Sequence, residues 1–568
     1  MLTASAKWLY AGLLLLLFGS FTAGNSQTFG EITGTVTDSS GAIVAGASVT
    51  VTNTATRVER RVETNDVGNY SVPFLNPGSY DITAQVAGFK VATRFGLILQ
   101  VGDVARVNFT MEVGAVTETV QVAGGAVLLQ TESTALGTVI ERQRIVELPL
   151  NGRNFLQLVR LSPNVSAEQG SGGQADSRQG GERANQSISI AGQRQQYNQF
   201  TLDGVENTDP NFNTFVVRPS VEALQEFKVQ TGVYSAEFGK ATSQINATTR
   251  AGTNDFHGSF FEFLRNDAIQ AKRWNVNQKN PFRRNQYGFT FAGPLLKDKL
   301  FFMTNWEGLK DRTSREARST VATTAMRNGD FSGPGDLRTI YDPDTIRLQN
   351  GAYTATPFPN NRIPQTRFKK AFVKLLEFYP EPNVPGALVG ISSWNFIRRA
   401  ASPTDWDQFT GRIDFSEKAN SQWFGRLSWG DESVLSGSDL GFNDSSVVTK
   451  VWQAMVSNAR TLSPAVVNEL RLGFNFMNNA RLTSQFNGVR DVTKELGHSG
   501  SRLAGEDRLG PAVHRVQRLH QQYCWLRREQ RGPLHRQEPY LSNTRQRELG
   551  ARRAYLQVWR GGGRPTLQ

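Results

Sequence analysis

The sequence predicts a mainly β protein, and three observations carry that reading. Glycine and phenylalanine number 53 and 35 of 568 residues, while charged residues make up an ordinary 20%. Turns use glycine, and pleated faces favour aromatic side chains. Short runs of strict two-residue alternation recur, as where Tyr287, Phe289 and Phe291 alternate with Gln286, Gly288, Thr290 and Ala292; this is the period of a strand. Beyond the N-terminus no run approaches eighteen consecutive apolar residues, so no helical membrane span is expected, whereas a membrane barrel leaves no such run because its strands alternate.

Residues 1–26 read as a secretory signal peptide. Lys7 supplies the positive start, residues 9–18 the apolar core, and Ser20, Thr22, Ala23, Gly24 and Ser26 the small residues of a cleavage region. Residues 27–113 read as a β-sandwich. Ile32, Gly34 and Val36 alternate with Thr33, Thr35 and Thr37, and Ala47, Val49 and Val51 alternate with Ser48, Thr50 and Thr52. Turns follow at Asp38-Ser39-Ser40-Gly41, Asp66-Val67-Gly68-Asn69 and Pro77-Gly78. The pattern GTVTDSSGAIVAGASVTV, TNDVGNY, LNPGSYDITA resembles the carboxypeptidase regulatory-like domain. That resemblance implies a non-catalytic accessory or spacer domain, and, through the kinship of its fold with carbohydrate-binding modules, a glycan contact as the alternative.

Residues 126–254 mix short helical and extended runs. Residues 139–148 and 155–159 read as short helices separated by Pro149-Leu150-Asn151-Gly152-Arg153-Asn154. Residues 168–184 are rich in Gly, Gln and Ser and read as a loop, residues 220–226 as a helix-like run, and residues 227–230 as a strand. The segments LPLNGRNFLQLVRLSPNV (148–165), LDGV (202–205), EALQEFKVQTGVYSAEFG (222–239) and GTNDFHGSFFEFLRN (252–266) resemble the plug and first barrel strand of TonB-dependent outer-membrane receptors of the Oar-like type. The resemblance implies an α+β plug domain over 126–254, then the N-terminal part of an antiparallel transmembrane β-barrel over 255–497. It implies an outer-membrane location with the N-terminal domain in the periplasm, and contact with outer-membrane lipid. It assigns Asn151, Gly152, Arg153, Asn154, Asp203 and Gly204 to plug architecture.

Residues 114–125 contain Glu118, Thr119, Val120, Gln121 and Val122. By pattern alone this extended segment is equally the last strand of the sandwich or an edge able to pair with another strand. Its place ahead of a plug resembles a TonB box, which implies a TonB-type energy-transducing partner. The substrate is unidentified; the sandwich tilts the expectation toward carbohydrate.

Further alternation marks barrel strands. Phe409, Gly411, Ile413 and Phe415 alternate with Thr410, Arg412 and Asp414; Trp423, Gly425, Leu427 and Trp429 with Phe424, Arg426 and Ser428; Leu470, Leu472, Phe474 and Phe476 with Glu469, Arg471, Gly473 and Asn475. Aromatic faces opposite charged faces suit strands between lipid and a polar lumen, although a soluble sandwich also alternates, so the barrel reading leans on the resemblance. Residues 310–403 interrupt the pattern and are expected to form one long extracellular loop. Asp342 and Asp344 there lack the spacing of a calcium loop.

After Gly497 the alternation stops. The formal net charge is +13, but residues 491–568 hold 15 of the 63 Lys and Arg against 7 of the 50 Asp and Glu, with four of the five His, the single Cys524 and no Phe. A basic disordered arm, a helical appendage and a shifted reading frame compete for residues 498–568. The third is expected, which would leave the barrel C-terminally truncated. The charge excess so placed gives no reason to expect nucleic-acid binding. Before Gly497 there is one histidine, His257, and no cysteine, which removes Cys-His nucleophiles and Cys/His zinc sites. No enzyme activity, metal or cofactor is expected. A TonB-dependent receptor, incomplete in this chain, is the leading reading. A secreted or surface-associated carbohydrate-binding protein and a non-functional fragment are its rivals.

Overall fold

The computed structural model describes residues 29–114, 119–121, 137–167, 188–194, 197–209, 214–231, 243–272, 274, 279–333, 338–349, 351–384, 394–441, 444–463, 466–483 and 553–562. The N-terminal unit is a two-sheet sandwich. One sheet orders Asn69–Leu75, Gly30–Asp38 and Val104–Arg106, with Phe109–Met111 also paired to Gly30–Asp38. The other orders Glu59–Glu63, Ser48–Asn53, Gly78–Gln85, Val91–Leu99 and Thr119–Gln121. The alternating residues Ile32, Val36, Val49, Val51, Val72, Ile82 and Phe109 fill the core between the sheets. The Tyr70 hydroxyl donates to the Val107 carbonyl at 2.7 Å inside that core.

The segment expected as a TonB box is the outermost strand of this unit. Its backbone runs parallel to Val91–Leu99, with Thr119, Val120 and Gln121 opposite Val91, Ala92 and Thr93. Glu118 and Val122 lie outside the described residues.

The plug is a five-stranded sheet in the order Gly137–Glu141, Leu224–Thr231, Ser243–Thr249, Asn198–Leu202, Val205–Glu206. Its core is built from Ile140, Ile145, Phe155, Val159, Phe200, Phe227 and Val229, among others. Two local expectations are corrected. The helix read over 139–148 begins only at Arg142 and ends at Glu147, because Val139 and Ile140 pair with Lys228 and Phe227 as strand residues. The helix-like run of 220–226 is a single 3₁₀ turn, Val221–Ala223, capped by the Ser220 side chain; Leu224 to Glu226 already belong to the strand. In both places a sheet partner distant in sequence overrides a weak local preference. The run 155–159 is a 3₁₀ segment, Phe155–Leu161, which buries Phe155, Leu156, Leu158 and Val159.

The C-terminal unit is a nine-stranded antiparallel sheet curving around the plug. Its order is His257–Asn266, Phe282–Leu296, Leu300–Ser319, Thr404–Lys418, Ser421–Ser436, Ser445–Ser463, Val466–Thr483 and Arg553–Gly562, with Phe396–Ala401 beside the far half of Leu300–Ser319. Among the described residues the sheet does not close into a barrel. Gln408, Thr410, Arg412, Arg426 and Ser428 are buried against the plug, while Ile413, Trp423, Leu427 and Phe474 on the opposite parity are exposed. This is the polar-inside, apolar-outside pattern of strands in an outer membrane. The long interruption is shorter than expected. Leu300–Ser319 continues through the polar residues after Lys310, and Phe396–Ala401 returns along it, so the connection covers 320–395. Those strand ends carry no apolar alternation, and period alone does not reveal them. Of the basic tail, residues 498–552 and 563–568 lie outside the described residues.

Candidate functional site

The family-motif residues gather on the seam between plug and barrel. The turn Asp203-Gly204 joins two plug strands and has positive φ at both residues, 52° and 75°. Gly204 takes that conformation without cost and Asp is among the side chains that tolerate it. The turn puts a carboxylate, 1% exposed, against the inner wall. Asp203 accepts from the Thr249 amide and hydroxyl, both at 2.8 Å. Arg426 Nε lies 2.7 Å from Asp203 Oδ2 and Arg412 Nη1 lies 3.6 Å from Oδ1.

Each arginine is held in turn. Arg412 grips Asp414 through two nitrogens at 2.8 and 2.7 Å, donates to the Thr249 carbonyl at 2.7 Å and lies over the Phe424 ring at 4.4 Å. Arg426 donates to Gln453 Oε1 at 2.6 Å and to Ser428 Oγ at 2.8 Å. Two strands further, Arg471 pairs with Glu469 and donates to the Gly204 carbonyl at 3.1 Å. The cluster balances Asp203, Asp414 and Glu469 against Arg412, Arg426 and Arg471. Such balance is what buried ions require, since an unmatched one is strongly unfavourable in a low dielectric.

The second motif sits at the other side of the plug. Asn151 closes a loop with Gln157: its amide donates to Oε1 at 3.1 Å, and Gln157 Nε2 donates back to its carbonyl at 2.8 Å. Gly152 has φ 67°, and its carbonyl accepts from Gln286 of the second barrel strand at 3.4 Å. Asn154 Oδ1 caps the 3₁₀ segment by accepting from the Leu156 amide at 3.1 Å. Arg153 pairs with Glu222 at 2.8 Å. Its guanidinium also lies 4.5 and 4.7 Å from the ring centroids of Phe261 and Phe263 on the first barrel strand, within cation–π range.

Of the six expected residues, Gly152, Arg153, Asp203 and Gly204 touch the wall at two places some fifty positions apart in sequence, while Asn151 and Asn154 shape the loop that holds the first of them. Their partners Thr249, Glu222, Arg412, Arg426, Gln453, Glu469 and Arg471 were not singled out as site residues from sequence. The available signal was parity: Arg412, Arg426, Glu469 and Arg471 all stand on the polar face of otherwise aromatic strands.

A further junction joins sandwich to plug. The Val101 amide donates to Glu226, Lys228 Nζ lies 3.6 Å from Asp103, and Gln100 donates to Glu141 at 2.7 Å. Burial raises the Glu226 carboxyl to about 8; nearby Asp103 and Glu141 add to the rise, while the Val101 amide and Lys228 oppose it. Among the described residues no group of three or more His, Cys, Asp and Glu is placed to hold a metal ion.

Three domain families match in the order the fold shows. Residues 31–112 match the carboxypeptidase regulatory-like domain, 130–244 the TonB-dependent receptor plug domain, and 248–521 an outer membrane beta barrel domain. The chain carries, in this order, the accessory, plug and barrel domains found in TonB-dependent receptors. It is an outer-membrane protein whose plug match covers residues 130–244 and whose first wall strand begins at His257. The TonB-dependent transporter Oar of Myxococcus xanthus is 30% identical over 309 residues, which is 51% of this chain and 27% of the relative. The chain thus spans about a quarter of that relative's length. Among solved structures, the outer membrane transporter YddB from Escherichia coli overlaps 61% of this chain and 40% of its own at 13% identity, with a TM-score of 0.38. The siderophore receptor PirA from Acinetobacter baumannii overlaps the same shares at 15% identity, with a TM-score of 0.34.

Proposed function

We propose that this receptor admits a substrate across the outer membrane when a TonB-type partner pulls on residues 118–122 and shifts the plug along the barrel wall. The observation that supports this most directly is the chemistry of the seam. Plug and wall meet through ion pairs and hydrogen bonds centred on Asp203, through the Gln286–Gly152 hydrogen bond and through the Arg153 guanidinium over two wall phenylalanines, and polar groups of this kind can exchange their partners for water as the plug moves. An apolar seam would have to expose its area to water at about 25 cal/mol per Å².

The open sheet belongs to the same reading. Lipid tolerates no strand edge with unpaired amides, so further strands complete the wall in the working receptor. Asn151, Gly152, Arg153, Asn154, Asp203 and Gly204 act in this proposal as seating elements of the plug and not as substrate contacts. Thr119–Gln121 already pairs with Val91–Leu99, so engaging a partner means exchanging one strand neighbour for another, which main-chain hydrogen bonding allows.

The test is direct binding of a purified TonB C-terminal domain to the detergent-solubilised chain. Saturable binding that Val120→Pro abolishes is the expected result, since proline removes an amide donor from the paired strand. Binding that the substitution leaves unchanged would remove residues 118–122 from the proposal.

A further inference from the structure

A cavity of about 360 Å³ opens where the sandwich, the plug and the turn end of the barrel wall meet. Four arginines line it, Arg60, Arg142, Arg250 and Arg412, against one carboxylate, Asp414. Two of the four are matched. Arg412 is clamped to Asp414 and faces Asp203. Arg142 pairs with Glu222 at 3.5 Å and donates to the Leu224 carbonyl at 2.9 Å.

The other two are not matched in this way. Arg60 projects from the sandwich and is 2% exposed, yet it donates to neutral groups, Gln422 Oε1 at 3.3 Å and Thr461 Oγ1 at 3.2 Å, both on barrel strands. Burial holds its guanidinium down to about 10. Arg250 is half-buried, and the carboxylate acting on it, Glu222, is already shared with Arg142 and Arg153. A desolvated guanidinium is satisfied by an oxyanion that accepts from its planar fork, and phosphate fits that geometry.

The rest of the wall mixes neutral polar residues, such as Asn53, Gln225 and Ser457, with an aromatic side. Phe74 comes from the sandwich, and Phe415, Trp423 and Phe424 come from strand ends beside the short turns of the barrel. Trp423 is 38% exposed there, and such aromatic residues sit at the headgroup level of a bilayer. An occupant of this cavity meets positive charge within and aromatic surface toward the lipid.

We propose that the cavity binds an amphiphilic phosphate, its headgroup held by Arg60 and Arg250 and its apolar portion laid against the Phe415–Phe424 wall, with an inner-leaflet phospholipid as the source. The site borders the plug seam at Arg412 and Thr249, while Arg60 and Arg250 take no part in the Asp203 cluster, and it does not depend on any TonB-type partner. Bound there, a lipid ties the accessory sandwich to the membrane-facing rim and neutralises the excess positive charge of the junction.

Isothermal titration of the full chain in a neutral maltoside detergent tests this, with three probes: dihexanoyl phosphatidylglycerol, dihexanoyl phosphatidylcholine and inorganic phosphate. Saturable one-site binding of phosphatidylglycerol is expected, at least about tenfold tighter than inorganic phosphate and weakened at least about tenfold by Arg60→Gln. Because Arg60 also bonds the barrel rim, Arg250→Gln is the second variant. It is expected to weaken binding while leaving the thermal midpoint of the empty protein unchanged. Equal affinity for inorganic phosphate would overturn the lipid assignment in favour of a free anion. Equal affinity for phosphatidylcholine would overturn the role of net anionic charge. No saturable binding of any probe, or binding unchanged in both variants, would overturn the site itself.

Discussion

At the scale of single residues, Asp203 concentrates the argument. It is the plug carboxylate that faces two barrel arginines, and among the described residues it is the carboxylate that pairs with Arg426, at 2.7 Å. Asp203→Asn keeps the shape and loses the charge, leaving Arg426 buried without its counter-ion. A loss of about 3–5 kcal/mol is expected, read as a lower denaturant midpoint of the solubilised protein. The double variant Asp203→Asn with Arg426→Gln should lose less than the sum of the two single changes, with a coupling of about 0.5–3 kcal/mol; strict additivity would show that the pair does not interact. Glu226 provides a pH-dependent counterpart. Its folded-state pKa, about 8, lies above the ordinary value of 4.5. The folded form therefore binds the proton more tightly, and the associated stability is full below about 4.5 and lost as pH rises through about 8. Thermal midpoints should fall across that window. Glu226→Gln should flatten the dependence and raise the midpoint at pH 8 relative to the parent; an unchanged slope would assign it to other groups. The sequence marked Asp203 and Arg153 through their motifs. It did not mark Arg412 or Arg426, because a partner more than two hundred residues away is visible only once strands and plug are placed in register.

At the scale of elements, what could be read from sequence followed periodicity. The wall strands carry aromatic residues on one parity and polar ones on the other, so Phe409 to Phe415 and Trp423 to Trp429 fall where the alternation puts them. The reading failed where a strand rises past the lipid, as from Lys310 to Ser319, and where a short strand resembles a helix start, as at Val139. The connection over 320–395 has an order of its own that no period announces. Arg327 donates to the carbonyls of Ala322, Leu376, Tyr379 and Pro380 at 3.2, 2.8, 2.9 and 2.6 Å, and Arg367 clamps Asp342 through two nitrogens at 2.9 and 2.8 Å. Asp342 and Asp344 are thus arginine partners within a folded loop. Arg327→Lys keeps the charge but not the fork. We expect faster amide exchange across residues 370–384 in this variant, with the wall strands unaffected. Exchange equal to the parent would mean that the helix Lys370–Leu376 is anchored by its other contacts.

At the scale of the whole molecule, strand direction fixes which ends face which compartment. The chain leaves the plug at Asn254, whose amide donates to the Ala55 carbonyl of the sandwich at 3.1 Å. The sandwich touches the wall again through Arg60 at Gln422 and Thr461, beside two short turns. The connection 320–395 follows the third wall strand, Leu300–Ser319, at its opposite end. Barrels of this class place short turns toward the periplasm and long loops outside, so sandwich and long connection must lie on opposite sides of the membrane. The prediction uses two engineered thiols in a Cys524→Ser background: Ser40→Cys on the exposed Asp38–Gly41 turn, and Tyr353→Cys, whose parent side chain is 79% exposed. In whole cells expressing the receptor, a membrane-impermeant maleimide should label position 353 at once and position 40 only after the outer membrane is permeabilised. Reversed labelling would invert the topology. Equal labelling of both in intact cells would mean that the wall is not inserted, and the seam described above would then belong to a protein that does not span the bilayer.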